Sequence, residues 1–139
     1  MLVVFGEDFP VRWSDQTAVV RLPAEIDLTI ADALREALLA VLNQGALGLI
    51  ADMTATTFCD SAGISALVRA ARRAAAGSAT MRIAVTAPPV LRVFNLVGID
   101  RLIDIHPSVA AALASLPDQA PGLVRHRAER RRHARVNVD

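Results

Sequence analysis

Three times between residues 47 and 116 a short apolar run gives way to a segment with helical spacing, and this alternation constrains the fold most. Leu47–Met53, Met81–Val85 and the shorter Leu102–Ile105 are bounded by turn-forming residues and read as buried strands. After the first of them, Ile64, Leu67, Val68, Ala71 and Ala75 recur on one helical face, with Arg69, Arg72 and Arg73 opposite. After the second, Val90, Leu91, Phe94 and Val97 make another stripe, which Gly98 stops. After the third, His106-Pro107-Ser108 opens an Ala/Leu helix that Pro117 ends. Helices that join consecutive strands demand crossovers, and crossovers demand a largely parallel sheet.

The preceding residues add a different edge. Phe9–Trp13 and Thr17–Leu22 read as strands joined by a turn at Ser14-Asp15-Gln16, a hairpin with Trp13 packing against the core or its edge. Thr29 and Asp32 have capping-box spacing ahead of a stripe of Leu34, Leu38, Val41 and Leu42, with Arg35 and Glu36 outside and Gly45 as the stop. Leu2–Phe5 fits a short strand or part of a leader over residues 1–8, and both readings stay open. The expected fold is α/β, in the order ββαβαβαβα. It has a mixed, mostly parallel four- to five-stranded sheet, an N-terminal hairpin and about four helices over residues 9–116.

Composition excludes several function classes. With 139 residues the chain holds one domain with a real core. Alanine supplies much of the 53% hydrophobic content, and no run reaches the roughly eighteen apolar residues of a spanning helix. Glu7 and Asp8 argue against a signal peptide, so a soluble, cytoplasmic protein without membrane insertion is expected. A single cysteine, Cys59, excludes an internal disulfide and a cysteine-based metal site. Of the three histidines only His106 lies outside the C-terminal segment, so no metal is expected. Every basic residue is arginine, a bias that reads as GC-rich coding. Six arginines in residues 123–139 face only Glu129 and Asp139, net +4, which leaves about −3 for residues 1–122. By charge the core is not a nucleic-acid binder. The basic stretch of residues 117–139 reads as a solvated, disordered tail or, alternatively, as an electrostatic arm.

Between the first buried strand and its helix lies Thr54–Cys59, followed by Asp60-Ser61-Ala62-Gly63-Ile64. Asp60 is the N-cap candidate. It places Ser61 at the positive end of the helix dipole with its hydroxyl toward solvent, where a phosphate would meet free amides and a favourable field. Phe58 reads as a loop anchor packed inward. Cys59 reads as a small buried hydrophobe, against a sharper alternative of redox control. Gly63 allows close approach of neighbouring backbone. The plainest alternative for Ser61 is a serine beside a cap, with no other role.

Ala-Asp-Met-Thr-Ala-Thr-Thr-Phe-Cys followed by Asp-Ser-Ala-Gly-Ile resembles the signature of STAS domains of the bacterial anti-sigma factor antagonist family. Two further stretches are similar to the family in the right order. Ala-Val-Val-Arg-Leu-Pro-Ala-Glu-Ile-Asp looks like its second strand, and Ala-Pro-Pro-Val-Leu-Arg-Val-Phe-Asn-Leu-Val-Gly-Ile-Asp-Arg-Leu like its third helix and last strand. The resemblance covers residues 9–116 and implies the STAS fold. It implies that Ser61 is a phosphate acceptor, and that the partner is an anti-sigma factor with a histidine-kinase-like ATPase domain. That partner would bring ATP and magnesium, the chain itself would hold no cofactor, and a serine phosphatase would reset the site. The unmodified chain would bind the partner and free a sigma factor; the phosphorylated chain would let go. Asp27, Glu25, Asp60, Ala62, Gly63, Ile64 and Ser65 are the expected partner-binding residues.

Three positions depart from the family pattern. Ala24 replaces a glycine before Glu25, Ala62 replaces a hydroxyl residue, and Ser65 replaces a second glycine. Two other functions compete with the antagonist reading. One is an accessory STAS subunit of a membrane transport complex. The other is an enzyme with Ser61 as nucleophile, which has no Gly-x-Ser-x-Gly elbow to support it. The expectation is therefore no enzymatic activity and transcription regulation by partner switching, as in a stress response.

Overall fold

The computed structural model describes residues 2–5 and 9–117. Strands β1 (Leu2–Phe5), β2 (Phe9–Ser14) and β3 (Thr17–Arg21) form an antiparallel meander. Helix α1 (Leu28–Asn43), strand β5 (Gly48–Met53), helix α2 (Ser61–Ala76), strand β7 (Thr80–Val85), helix α3 (Pro88–Val97), strand β8 (Asp104–His106) and helix α4 (Val109–Ala114) complete the main body. The sheet order is β1-β2-β3-β5-β7-β8, parallel from β3 onward. Two short strands, β4 (Glu25–Ile26) and β6 (Phe58–Cys59), form a separate parallel ribbon. The expected α/β STAS fold is present, with its hairpin, its mixed sheet and its four helices. Leu2–Phe5, which the sequence left open between strand and leader, pairs with β2 as a sixth strand.

Alternation along each strand divides the core in two. Phe9, Val11, Ala18, Val20, Leu49, Ala51, Ile83 and Val85 face the main core, which α1, α2 and α3 close with Leu34, Leu38, Leu67, Val90 and Phe94. On the opposite face, among the described residues, Val109, Ala112, Leu113 and Leu116 pack against Val19 and Ile50. Partly buried Trp13 packs against the main core.

Several local expectations shift. Helix α1 begins at Leu28 with Asp27 as its N-cap, so the Thr29/Asp32 capping box is not formed; Thr29 instead donates to Asp27. The buried face of α2 runs through Gly63, Ala66, Leu67, Ala70, Ala71 and Ala74, and Ala75 is exposed. On α3 only Val90 and Phe94 are buried, whereas Leu91 and Val97 are exposed; the helix packs mainly on β6 and on the turn that follows the helix itself. After Gly98, in the left-handed region at φ +81°, a 3-10 turn over Ile99–Arg101 takes up the chain, so β8 starts at Asp104. Ala24 keeps a negative φ, so the missing glycine there costs no strain. The expected disordered tail falls on residues 118–139, outside the described residues.

Candidate functional site

The ribbon brings together two stretches that are far apart in sequence. Glu25 pairs with Phe58 and Ile26 with Cys59. The loop before β6 is sewn to the chain before β4. The buried Thr56 donates its hydroxyl to the Pro23 carbonyl at 2.8 Å, and the Thr57 amide donates to the Ala24 carbonyl at 2.8 Å. The Asp60 amide donates to the Ile26 carbonyl at 3.0 Å. One residue past the paired register, each strand ends in an aspartate, and each aspartate caps a helix. Asp27 starts α1 and Asp60 starts α2, so two packed helices begin side by side from one ribbon.

The Asp60 carboxylate accepts from the Ala62 amide at 3.0 Å and the Gly63 amide at 3.1 Å. Its backbone carbonyl accepts from Ile64 at 3.0 Å. Ser61 is therefore the first residue of α2, and it is exposed. The sequence placed free amides around a phosphate on Ser61; two of them, on Ala62 and Gly63, are already taken by Asp60. The dipole remains favourable, but the modified oxygen would stand beside a carboxylate. Asp27 accepts from the Thr29 amide at 2.9 Å and from its hydroxyl. Those bonds, the hydroxyl's first, hold its carboxyl below the usual value of 3.8.

The remaining expected residues separate by face. Glu25, Ser61 and Ser65 are exposed, while Ala62 and Ile64 are partly so. Gly63 is buried and packs on Ile26 and Cys59. Phe58 is 50% exposed, a correction to its reading as an inward anchor. The two residues of β6 point to opposite sides, and Cys59 takes the inner one. Cys59 itself is buried, and desolvation, helped by the Asp60 charge, pushes its thiol up to about 12. That favours the structural reading over redox control. Leu28, which the sequence did not single out, is 75% exposed at the start of α1. The spacing carried no clear signal, because Leu28 lies about 120° around the helix from Leu34 but only about 40° from Leu42, at the edge of the apolar stripe. Among the described residues, no group of histidine, cysteine and carboxylate side chains could hold a metal ion, and no helix is long and apolar enough to cross a membrane.

The arrangement gathers an exposed hydroxyl, two capping carboxylates and two exposed apolar side chains around the start of two helices. A crystal structure of an anti-sigma factor antagonist from Mycobacterium paratuberculosis matches at TM-score 0.73 and 26% identity, over 79% of this chain and 93% of that one. The Bacillus protein SpoIIAA, solved in unphosphorylated and phosphorylated forms, matches in the former at TM-score 0.66 and 21% identity, over 79% of this chain and 99% of that one. Part of the murine anion transporter Slc26a9 shares the fold at TM-score 0.62 and 17% identity, over 81% of this chain and 21% of that one. The family model of the STAS domain matches residues 9–112, most of the length, and the chain belongs to the STAS domain family.

Proposed function

We propose that this chain is an anti-sigma factor antagonist whose binding is switched off by phosphorylation of Ser61. The observation that carries the reading is the exposed serine at the first position of α2, beside the capping carboxylates of both helices. The likeness to the Mycobacterium paratuberculosis antagonist supports the same role. The partner is an anti-sigma factor with a kinase domain. It supplies ATP and magnesium, so this chain contributes an acceptor and a docking surface and no catalytic group. A phosphatase returns Ser61 to the free hydroxyl.

The switch needs no refolding. Phosphorylation adds roughly two negative charges at a helix N-terminus, where the dipole tolerates them. In a closed interface the same charges lie against Asp60 and near Asp27, with water excluded. Repulsion and desolvation there cost several kcal/mol, roughly tenfold in affinity for each 1.4 kcal/mol.

A pull-down from lysate of the native host with wild type, Ser61→Ala and Ser61→Glu as baits tests this. Recovery of a histidine-kinase-like ATPase on the first two baits, but not the third, is the expected result. A membrane transport protein captured equally by all three would overturn it in favour of an accessory STAS subunit.

A further inference from the structure

Among the described residues, the second face of the sheet is covered over only part of its width. The six-residue α4 lies over β5, β7 and β8, and its packing reaches no further than Val19. Beyond it, among the described residues, a cavity of about 360 Å³ is lined by Pro10, Arg12, Val19, Arg21 and Asp52. Register explains the cluster. Arg12 pairs with Val19 across β2 and β3, and Arg21, two residues further along β3, shares that face and pairs with Asp52. Diagonal positions of this kind lie about 7–8 Å apart, so two guanidinium forks can converge on one ligand.

Both arginines are exposed, and the ion pairs formed among the described residues involve neither. Asp52 forms no ion pair with Arg21 among the described residues. One of its oxygens accepts from the Thr54 amide at 3.1 Å and the Thr54 hydroxyl at 2.7 Å, which leaves the other open to a donor. The volume suits a small molecule, and the net negative charge of residues 1–122 disfavours a polyanion such as nucleic acid. Paired guanidinium groups match the geometry and charge of a phosphate. Pro10 and Val19 supply an apolar floor, and Asp52 an acceptor for a hydroxyl.

We infer that this pocket binds a small phosphate monoester with a hydroxyl-bearing organic part, such as a sugar phosphate, the phosphate being held by Arg12 and Arg21. The inference is independent of the role of Ser61, which lies on the ribbon at the start of α2 and lines no part of this cavity.

The test is an amide-resolved NMR titration of the full chain with ribose 5-phosphate, ribose and inorganic phosphate, repeated on Arg12→Gln/Arg21→Gln. Saturable shifts at Arg12, Val19 and Arg21 with ribose 5-phosphate, weakened at least tenfold in the double variant, are expected. Ribose should leave these amides unmoved. Because both side chains are exposed, the double variant should keep its thermal midpoint. Shifts confined to the arginines of residues 118–139, or unchanged binding by the double variant, would overturn the inference. So would equal affinity for inorganic phosphate, which would reduce the pocket to a bare anion site.

Discussion

Gly63 faces Ile26 so closely that a Cβ on the glycine would lie 2.6 Å from the Ile26 Cγ2, with the Cys59 Sγ at 2.8 Å. Helix α2 can start beside the ribbon only because this position has no side chain. The contact fixes the distance between Ser61 and the strand that leads to Asp27.

Gly63→Ala should therefore destabilise the fold despite the better helix propensity of alanine. Overpacking of this kind costs about 1–3 kcal/mol, and alanine returns at most about 1 kcal/mol. Urea denaturation of Gly63→Ala, Cys59→Ala and the double variant measures it. The double variant should lose less than the sum of the two, since removing Sγ relieves one of the two collisions.

Cys59 should be inert in the native protein. With its thiol at about 12, the thiolate fraction at pH 8 is negligible, and the side chain is buried as well. Labelling by a disulfide reagent should follow the opening of the fold, slow in buffer and immediate in denaturant. Rapid labelling of the native chain would contradict this.

Asp27 should titrate below 3.8 in the folded chain, because the Thr29 hydroxyl and amide favour its charged form. A depressed folded value means that the cap's contribution is fully present above 3.8 and lost as the pH falls through the lower, folded value. Carboxyl NMR of the wild type should show that lowered midpoint. Thr29→Val, which removes the hydroxyl but keeps the amide, should move it part of the way back.

Phe58→Ala and Leu28→Ala should separate docking from folding. Leu28 is 75% exposed and Phe58 is half-exposed, so Leu28→Ala should alter stability by no more than about 0.5 kcal/mol and Phe58→Ala by about 1 kcal/mol. On the proposed surface each flanks a capping aspartate, and apolar anchors in such a position dominate binding. Affinity for the partner should fall at least tenfold, as read by calorimetry against the purified anti-sigma factor. Large unfolding shifts with unchanged affinity would place them in the core instead.

Much of the fold was legible because it rests on local periodicity. The alternation of apolar runs with helical stripes, and the stops at Gly45 and Gly98, set the order of elements before any contact was known. Asp60 read correctly as a cap, since capping is decided within three residues of sequence. Where two faces of a segment were both apolar, as on α3, periodicity could not say which one met the sheet. It placed Leu91 and Val97 inside when only Val90 and Phe94 are buried.

The ribbon was not legible at all. Two-residue strands carry no period, and the hydrogen bonds that join Pro23–Ile26 to Thr56–Asp60 span more than thirty positions. The exposure of Phe58 follows from that pairing, because Cys59 must take the inner side once Ile26 is its neighbour. By itself the sequence determined that a serine would stand at the start of a helix. Only the tertiary structure put a second helix start beside it, because long-range pairing leaves no trace in local spacing.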